Sequence, residues 1–355
     1  MKNLKLIGFL IIVVSSLMFI QCTSEPIPGP QGIAGINGID GTNGTNGTNG
    51  QDGVDGTASC VACHSESHRG PIDASYLLSG HAAGGAVGYA GGRSSCAQCH
   101  SNEGYVDYMT MGATNPDGYT GQGPVSCTTC HEKHSTFDFT NDGHDYALRT
   151  FDPVTLITDA EYTIDFGDTS NNCTSCHQPR RTEPLNDGNG TFTVTSTHWG
   201  PHHGPQSTLL EGIQGAHIVG TEVYPAPQSA AHRTGSSCVS CHMGETTDNT
   251  DGAHTFKPTA NGCTQCHANA PATVGGMAED MATLAALLEA VTGVDADGNE
   301  VHGIVHDNHP NKGTFTLKEA QAAWNYLLIY EDNSGGLHNP GYAKALIKNS
   351  IQALQ

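Results

Sequence analysis

Six copies of Cys-x-x-Cys-His between residues 60 and 267 constrain this chain more than any other feature. They are Cys60, Cys63 and His64; Cys96, Cys99 and His100; Cys127, Cys130 and His131; Cys173, Cys176 and His177; Cys238, Cys241 and His242; and Cys263, Cys266 and His267. They use all but one of the 13 cysteines. Two thiols three positions apart can reach the two vinyl groups of one haem and form thioethers. The next residue, histidine, then stands beside the iron as its proximal ligand. Disulfides or zinc held by two CxxC pairs would also use paired thiols. Neither requires a histidine after every second cysteine, so the repeat reads as six haem c sites.

Each iron then needs a second axial ligand or an open position, and histidines outside the motifs outnumber the six irons. Methionine is scarce, and Met243 follows His242 too closely to reach over the same haem. His134 lies three residues after His131, on the side of that proximal ligand, so it is expected to reach a neighbouring haem. His81, His232 and His254 each precede a motif and suit a haem other than the one just downstream. His202 and His203 sit side by side in His-Trp-Gly-Pro-His-His-Gly-Pro-Gln, and one of them is expected to be a ligand. His338 completes the candidate distal set. His68, His144, His198, His217, His302, His306 and His309 read as surface or hydrogen-bonding histidines.

The termini of the chain differ from this region. Residues 1–22 read as a signal peptide: Lys2 and Lys5 precede an apolar run from Leu6 to Ile20 that is short for a membrane span. Cys22 follows as a candidate lipid-modified cysteine, although Gln21 stands where that signal has a small residue. Residues 23–56 form a spacer in which glycine recurs at every third position from Gly29 to Gly56, as in collagen. Pro30 is the only proline inside the repeats, so a flexible polar tether is favoured over a homotrimer. The chain is thus read as exported, either periplasmic or an outer-membrane or cell-surface lipoprotein. Lys plus Arg number 14 against 35 Asp plus Glu, a formal charge of −21, which excludes phosphate-neutralising nucleic-acid binding. It suits a basic redox partner or a cationic surface.

The fold class expected is mainly α with much irregular loop. In residues 57–270 no long periodic apolar run appears, and short helical turns at each motif with a small hairpin near Thr191–Thr195 are expected. The haems would form the core there, tying loops together as disulfides do. Residues 271–355 differ. Met277, Met281, Leu284, Leu287, Leu288 and Val291 recur at helical spacing. Thr316 and Glu319 match a capping box for a second helix, and Asn339-Pro340 starts a third. These helices are expected to form a platform that completes the haem domain and presents His338. The loop Asp295-Ala-Asp297-Gly298-Asn299-Glu300 lacks the full calcium-loop pattern and reads as a polar turn.

With these residues in view, the chain resembles the multihaem c-type cytochromes of bacterial respiratory and extracellular electron transfer over roughly residues 57–355. Three stretches carry the likeness beyond the motifs. They are CTTCHEKH with Ala147-Leu148-Arg149, HWGPHHGPQ with Ser229-Ala-Ala-His232 and CVSCHM, and Trp324-Asn-Tyr-Leu327 with His338-Asn-Pro340 and Tyr342-Ala343. The last block is similar to the C-terminal helices of the cytochrome c nitrite reductase superfamily, where the resemblance implies that the histidine before Asn-Pro caps a haem. It also recurs in extracellular cytochromes that polymerise, which adds a filament to the oligomers considered. No CxxCK motif is present, although those reductases commonly attach their catalytic haem through one. Electron transfer through bis-histidine haems, with other cytochromes or external acceptors as partners, is therefore the expected function. A reductase of nitrogen or sulfur oxyanions with one open-site haem, served by Arg180-Arg181, is the alternative.

Overall fold

Short helices begin at or near most of the cysteine motifs, as their hydroxyl-rich flanks favour. At the third motif the helix Cys127–Cys130 starts after Ser126, whose backbone N–H donates to Thr129 Oγ1 at 2.8 Å. At the fifth, Cys238–His242 follows Ser237, whose N–H donates to Ser240 Oγ at 2.8 Å. The variable positions inside the motif thus satisfy a backbone donor at the helix start. The computed structural model describes residues 58–355 apart from 144, 186, 187 and 189. The signal segment, Cys22 and the glycine-repeat spacer lie outside the described residues, as does His144.

The described residues are mainly helical, with long loops and some sheet, and belong to one compact unit. Helices Glu66–Tyr76 and Asn102–Met111 are the longest before residue 270. Few large apolar side chains are buried in that stretch.

The apolar core lies at the C-terminal end. Helix Met277–Ala290 buries Met277, Leu284 and Leu288, one side of the expected apolar stripe. Helix Leu317–Asp332 is capped by Thr316, whose N–H donates to Glu319 Oε2 at 2.9 Å while Oγ1 accepts from Glu319 N at 3.3 Å. Helix Pro340–Leu354 starts at Asn339, whose Oδ1 accepts from Tyr342 N at 3.2 Å. The second and third helices clamp a segment from the haem-motif region. The Asn325 side chain both accepts from Ala216 N and donates to Ala216 O, each at 2.8 Å. Tyr342 Oη accepts from Gly215 N at 2.9 Å, and Trp324 Nε1 donates to Gln214 O at 2.8 Å. The aromatic and amide residues of the C-terminal block are therefore packing residues.

One expectation is corrected. Thr191–Val194 is a strand, but it forms no local hairpin. It pairs antiparallel with Gly313–Thr316, from Thr191 opposite Thr316 to Val194 opposite Gly313. That strand pairs with Thr292–Val294, which pairs in turn with Glu300–His302, giving a four-stranded antiparallel sheet. The Asp295–Asn299 segment is the turn of the last hairpin: Asp295 Oδ1 accepts from Asp297 N and Asn299 N, and Gly298 takes a φ of +82°.

Candidate haem-binding sites

Each of the six motif histidines has one histidine from outside the motifs facing it. The ring-centre separations are 6.0 Å for His64–His134, 5.9 Å for His100–His202 and 6.3 Å for His131–His254. They are 6.2 Å for His177–His81, 6.3 Å for His242–His338 and 5.9 Å for His267–His232. An imidazole nitrogen binds a metal such as zinc at about 2.0–2.1 Å, so two imidazoles on opposite sides of one ion hold their ring centres roughly 6 Å apart. All six separations fit one iron between the rings. Among the described residues, no group of three or more His, Cys, Asp or Glu forms a cage for a metal.

Of the motif cysteines, Cys63, Cys127 and Cys266 are exposed and the remaining nine are partly buried. Cys241 Sγ lies 3.3 Å from Ser236 Oγ, just before its motif.

The protein fixes the ring nitrogens as iron ligation requires. Nδ1 of His131 bonds Tyr146 O at 2.7 Å, that of His242 bonds Phe256 O at 2.8 Å, and that of His232 bonds Leu337 O at 2.6 Å. A carbonyl only accepts, so the hydrogen sits on Nδ1 and the Nε2 lone pair is left for a metal. His177 Nδ1 meets Gln206 Oε1 at 3.1 Å. Two others meet carboxylates: His134 bonds Asp145 Oδ1 at 2.6 Å and His338 bonds Asp332 Oδ1 at 2.5 Å. Hydrogen bonds from Ala147 N–H, His134 and Ser135 hold the Asp145 carboxyl well below the usual range. Burial takes His81 down to about 4, with His177 adding to it. Burial, with His203, Arg180 and His100 nearby, takes His202 to about 4 as well. Both are thus neutral imidazoles at neutral pH, the form that coordinates a metal.

Of the two adjacent histidines, His202 faces His100 while His203 bonds the Glu331 carboxylate and faces no motif histidine. His202 Nε2 is buried with no hydrogen-bond partner, an atom whose environment suits a metal bond. Its backbone takes a φ of +70°, which separates its course from that of its neighbour. His217 stacks on Tyr224 with ring centres 4.1 Å apart, and His302 pairs with Glu300 at 3.0 Å. His306 lies near Glu289 and Asp307, and His309 Nδ1 bonds Asp307 O. Among the two arginines weighed for an open site, Arg180 lies at the second motif, its Nη1 reaching Cys96 Sγ at 3.8 Å.

Neighbouring motifs touch one another. Cys99 Sγ lies 4.0 Å from Ser175 O and Cys176 Sγ 3.8 Å from Gln98 O, joining the second and fourth motifs, and Val239 N donates to Ser170 Oγ at 3.2 Å beside the fourth and fifth. Asn172, just before the fourth motif, accepts from Tyr105 Oη at 2.8 Å. The Ala147-Leu148-Arg149 stretch packs along the third motif: Leu148 bridges His131, and Arg149 N donates to Cys130 O at 2.7 Å. Sequence reading did not find Asp145, Asp332 or the carbonyls of Tyr146, Phe256 and Leu337. A carbonyl has no sequence signature, and no motif links either aspartate to its histidine.

No family model matches the chain. It is 27% identical over 342 residues to the C-type polyheme cytochrome OmcB of Geobacter sulfurreducens, in two strains, the match covering 74% of this chain and 44% of that protein. This relationship supports a multihaem c-type cytochrome. The chain spans under half the length of the curated relatives it matches. Among solved structures it is similar to the outer cell wall cytochrome OcwA, with a TM-score of 0.46 and 21% identity over 79% of this chain and 50% of that one.

Proposed function

We propose that the chain is an exported hexahaem c-type cytochrome that carries electrons between the cell envelope and redox partners or external acceptors. The observation that carries this reading is the set of six motif histidines, each faced by one other histidine at 5.9–6.3 Å. Bound haem supplies an iron that exchanges single electrons. With haem bound, the two imidazoles of each pair would hold its iron from both sides and would leave no place for a substrate oxygen or nitrogen. Contacts between the second and fourth motifs, and beside the fourth and fifth, support short steps for an electron between those sites. In this reading residues 57–270 hold the haems, residues 271–355 complete their domain, and the segment 1–56 provides export, a lipid anchor at Cys22 and a tether.

The test is optical. Exported protein is reduced with dithionite, and its spectrum is recorded before and after carbon monoxide. Six covalent haems by mass and no carbon monoxide shift are expected. A colourless chain of bare polypeptide mass would overturn the haem reading. A carbon monoxide adduct in the intact protein would overturn complete bis-histidine capping and favour a reductase.

A further inference from the structure

The hydrogen-bond partners behind the paired histidines are not alike. Where His131, His232 and His242 rest on backbone carbonyls and His177 on an amide, His134 and His338 rest on carboxylates. Asp332 is wholly buried at the end of helix Leu317–Asp332 and also accepts from Ser334 N–H and Oγ–H. Asp145 is half-buried and holds the Ser135 N–H and hydroxyl on its other oxygen. Each carboxylate is thus fixed by at least two further donors while it accepts from the imidazole.

We propose that Asp145 and Asp332 set the reduction potentials of the sites built on His64–His134 and His242–His338, making them the lowest of the six. This rests on the haem reading above. A carboxylate on Nδ1–H draws the shared hydrogen toward itself and makes the imidazole a stronger electron donor through Nε2. It also places a negative charge near the iron, least screened at the buried Asp332. Both effects favour the more positive, oxidised iron. A carbonyl or amide acceptor carries no net charge and does less. Electrons therefore populate the other four sites first and reside on these two last.

The experiment is a spectroelectrochemical titration of intact protein and of Asp145→Asn, Asp332→Asn and Glu331→Gln. Unchanged haem content and no carbon monoxide adduct in the wild type establish the haem reading separately, before any variant is compared. Each aspartate variant is expected to shift one of the lowest-potential components upward by about tenfold in its oxidised-to-reduced equilibrium, about 59 mV for one electron. Haem content and the low-spin spectrum stay as in the wild type. Glu331→Gln removes a carboxylate from His203, which faces no motif histidine, and is expected to leave the low end in place. An unmoved low end in Asp145→Asn with six haems retained overturns the proposal. So does an equal shift in Glu331→Gln, which would make it a general effect of charge. Should Asp332→Asn lose haem through its buried position, the less buried Asp145→Asn decides the result.

Discussion

His202 takes a left-handed backbone conformation that its neighbour does not share, and this directs one ring to His100 and leaves the other with Glu331. His202→Ala is therefore expected to open one of six irons, giving a carbon monoxide adduct of about one sixth the amplitude of a fully open protein. His203→Ala should give none. The carbon monoxide difference spectrum of the reduced variants distinguishes them; the opposite pattern would reverse the ligand choice. The sequence could name the two histidines but not choose between them. The choice depends on a backbone angle and on a carboxylate 128 residues away. The six motifs, by contrast, were legible because their chemistry is local: two thiols and a histidine within five positions.

Helix Ala231–Gly235 has five residues and is too short to be stable alone. Contacts on either side of His232 hold it. His232 Nδ1 bonds Leu337 O, while Arg233 Nε donates to the fully buried Glu211 carboxylate at 2.5 Å and Arg233 Nη2 donates to Asp165 O at 2.6 Å. The Arg233 guanidinium also lies over the Phe166 ring, 4.5 Å from its centre. Arg233→Ala would leave the buried Glu211 without a counter-charge, held only by Tyr162 Oη and Gln228 Nε2, a loss of about 3–5 kcal/mol. The expected outcome is a lower melting temperature by circular dichroism. A small carbon monoxide adduct should accompany it, as His232 loosens from the site it shares with His267. A variant that melts like the wild type would show that Glu211 finds another partner. At this scale the C-terminal helices were readable, because the Thr316–Glu319 capping box and the Asn339-Pro340 start act within one turn. The sheet was not, because Thr193 meets Thr314 across 121 positions. No turn signal marks a pairing of that span.

Across the whole unit the apolar core is lopsided. Its buried residues gather on helices Met277–Ala290, Leu317–Asp332 and Pro340–Leu354 and the segment they clamp, while residues 58–190 bury few large side chains. Without bound haem, residues 58–190 have little to offset the entropy of ordering their loops. Limited proteolysis of protein made without haem attachment should cut first in that region. The segment near Ala216 and the helices that hold it should resist longest, because Asn325, Trp324 and Tyr342 bind its backbone directly. A protease-resistant haem-free chain would count against a haem-dependent core.

The same imbalance extends to charge, since 35 acidic residues against 14 basic ones give the molecule a long-range negative field. Such a field speeds encounter with a basic partner and is screened over about 10 Å at 0.1 M salt. Stopped-flow oxidation of the reduced protein by a small basic electron acceptor should therefore slow as ionic strength rises. Oxidation by an anionic acceptor should quicken over the same range. Salt independence with both acceptors would mean that the surface where electrons leave lies away from the excess acidic charge, and that the negative field serves solubility alone.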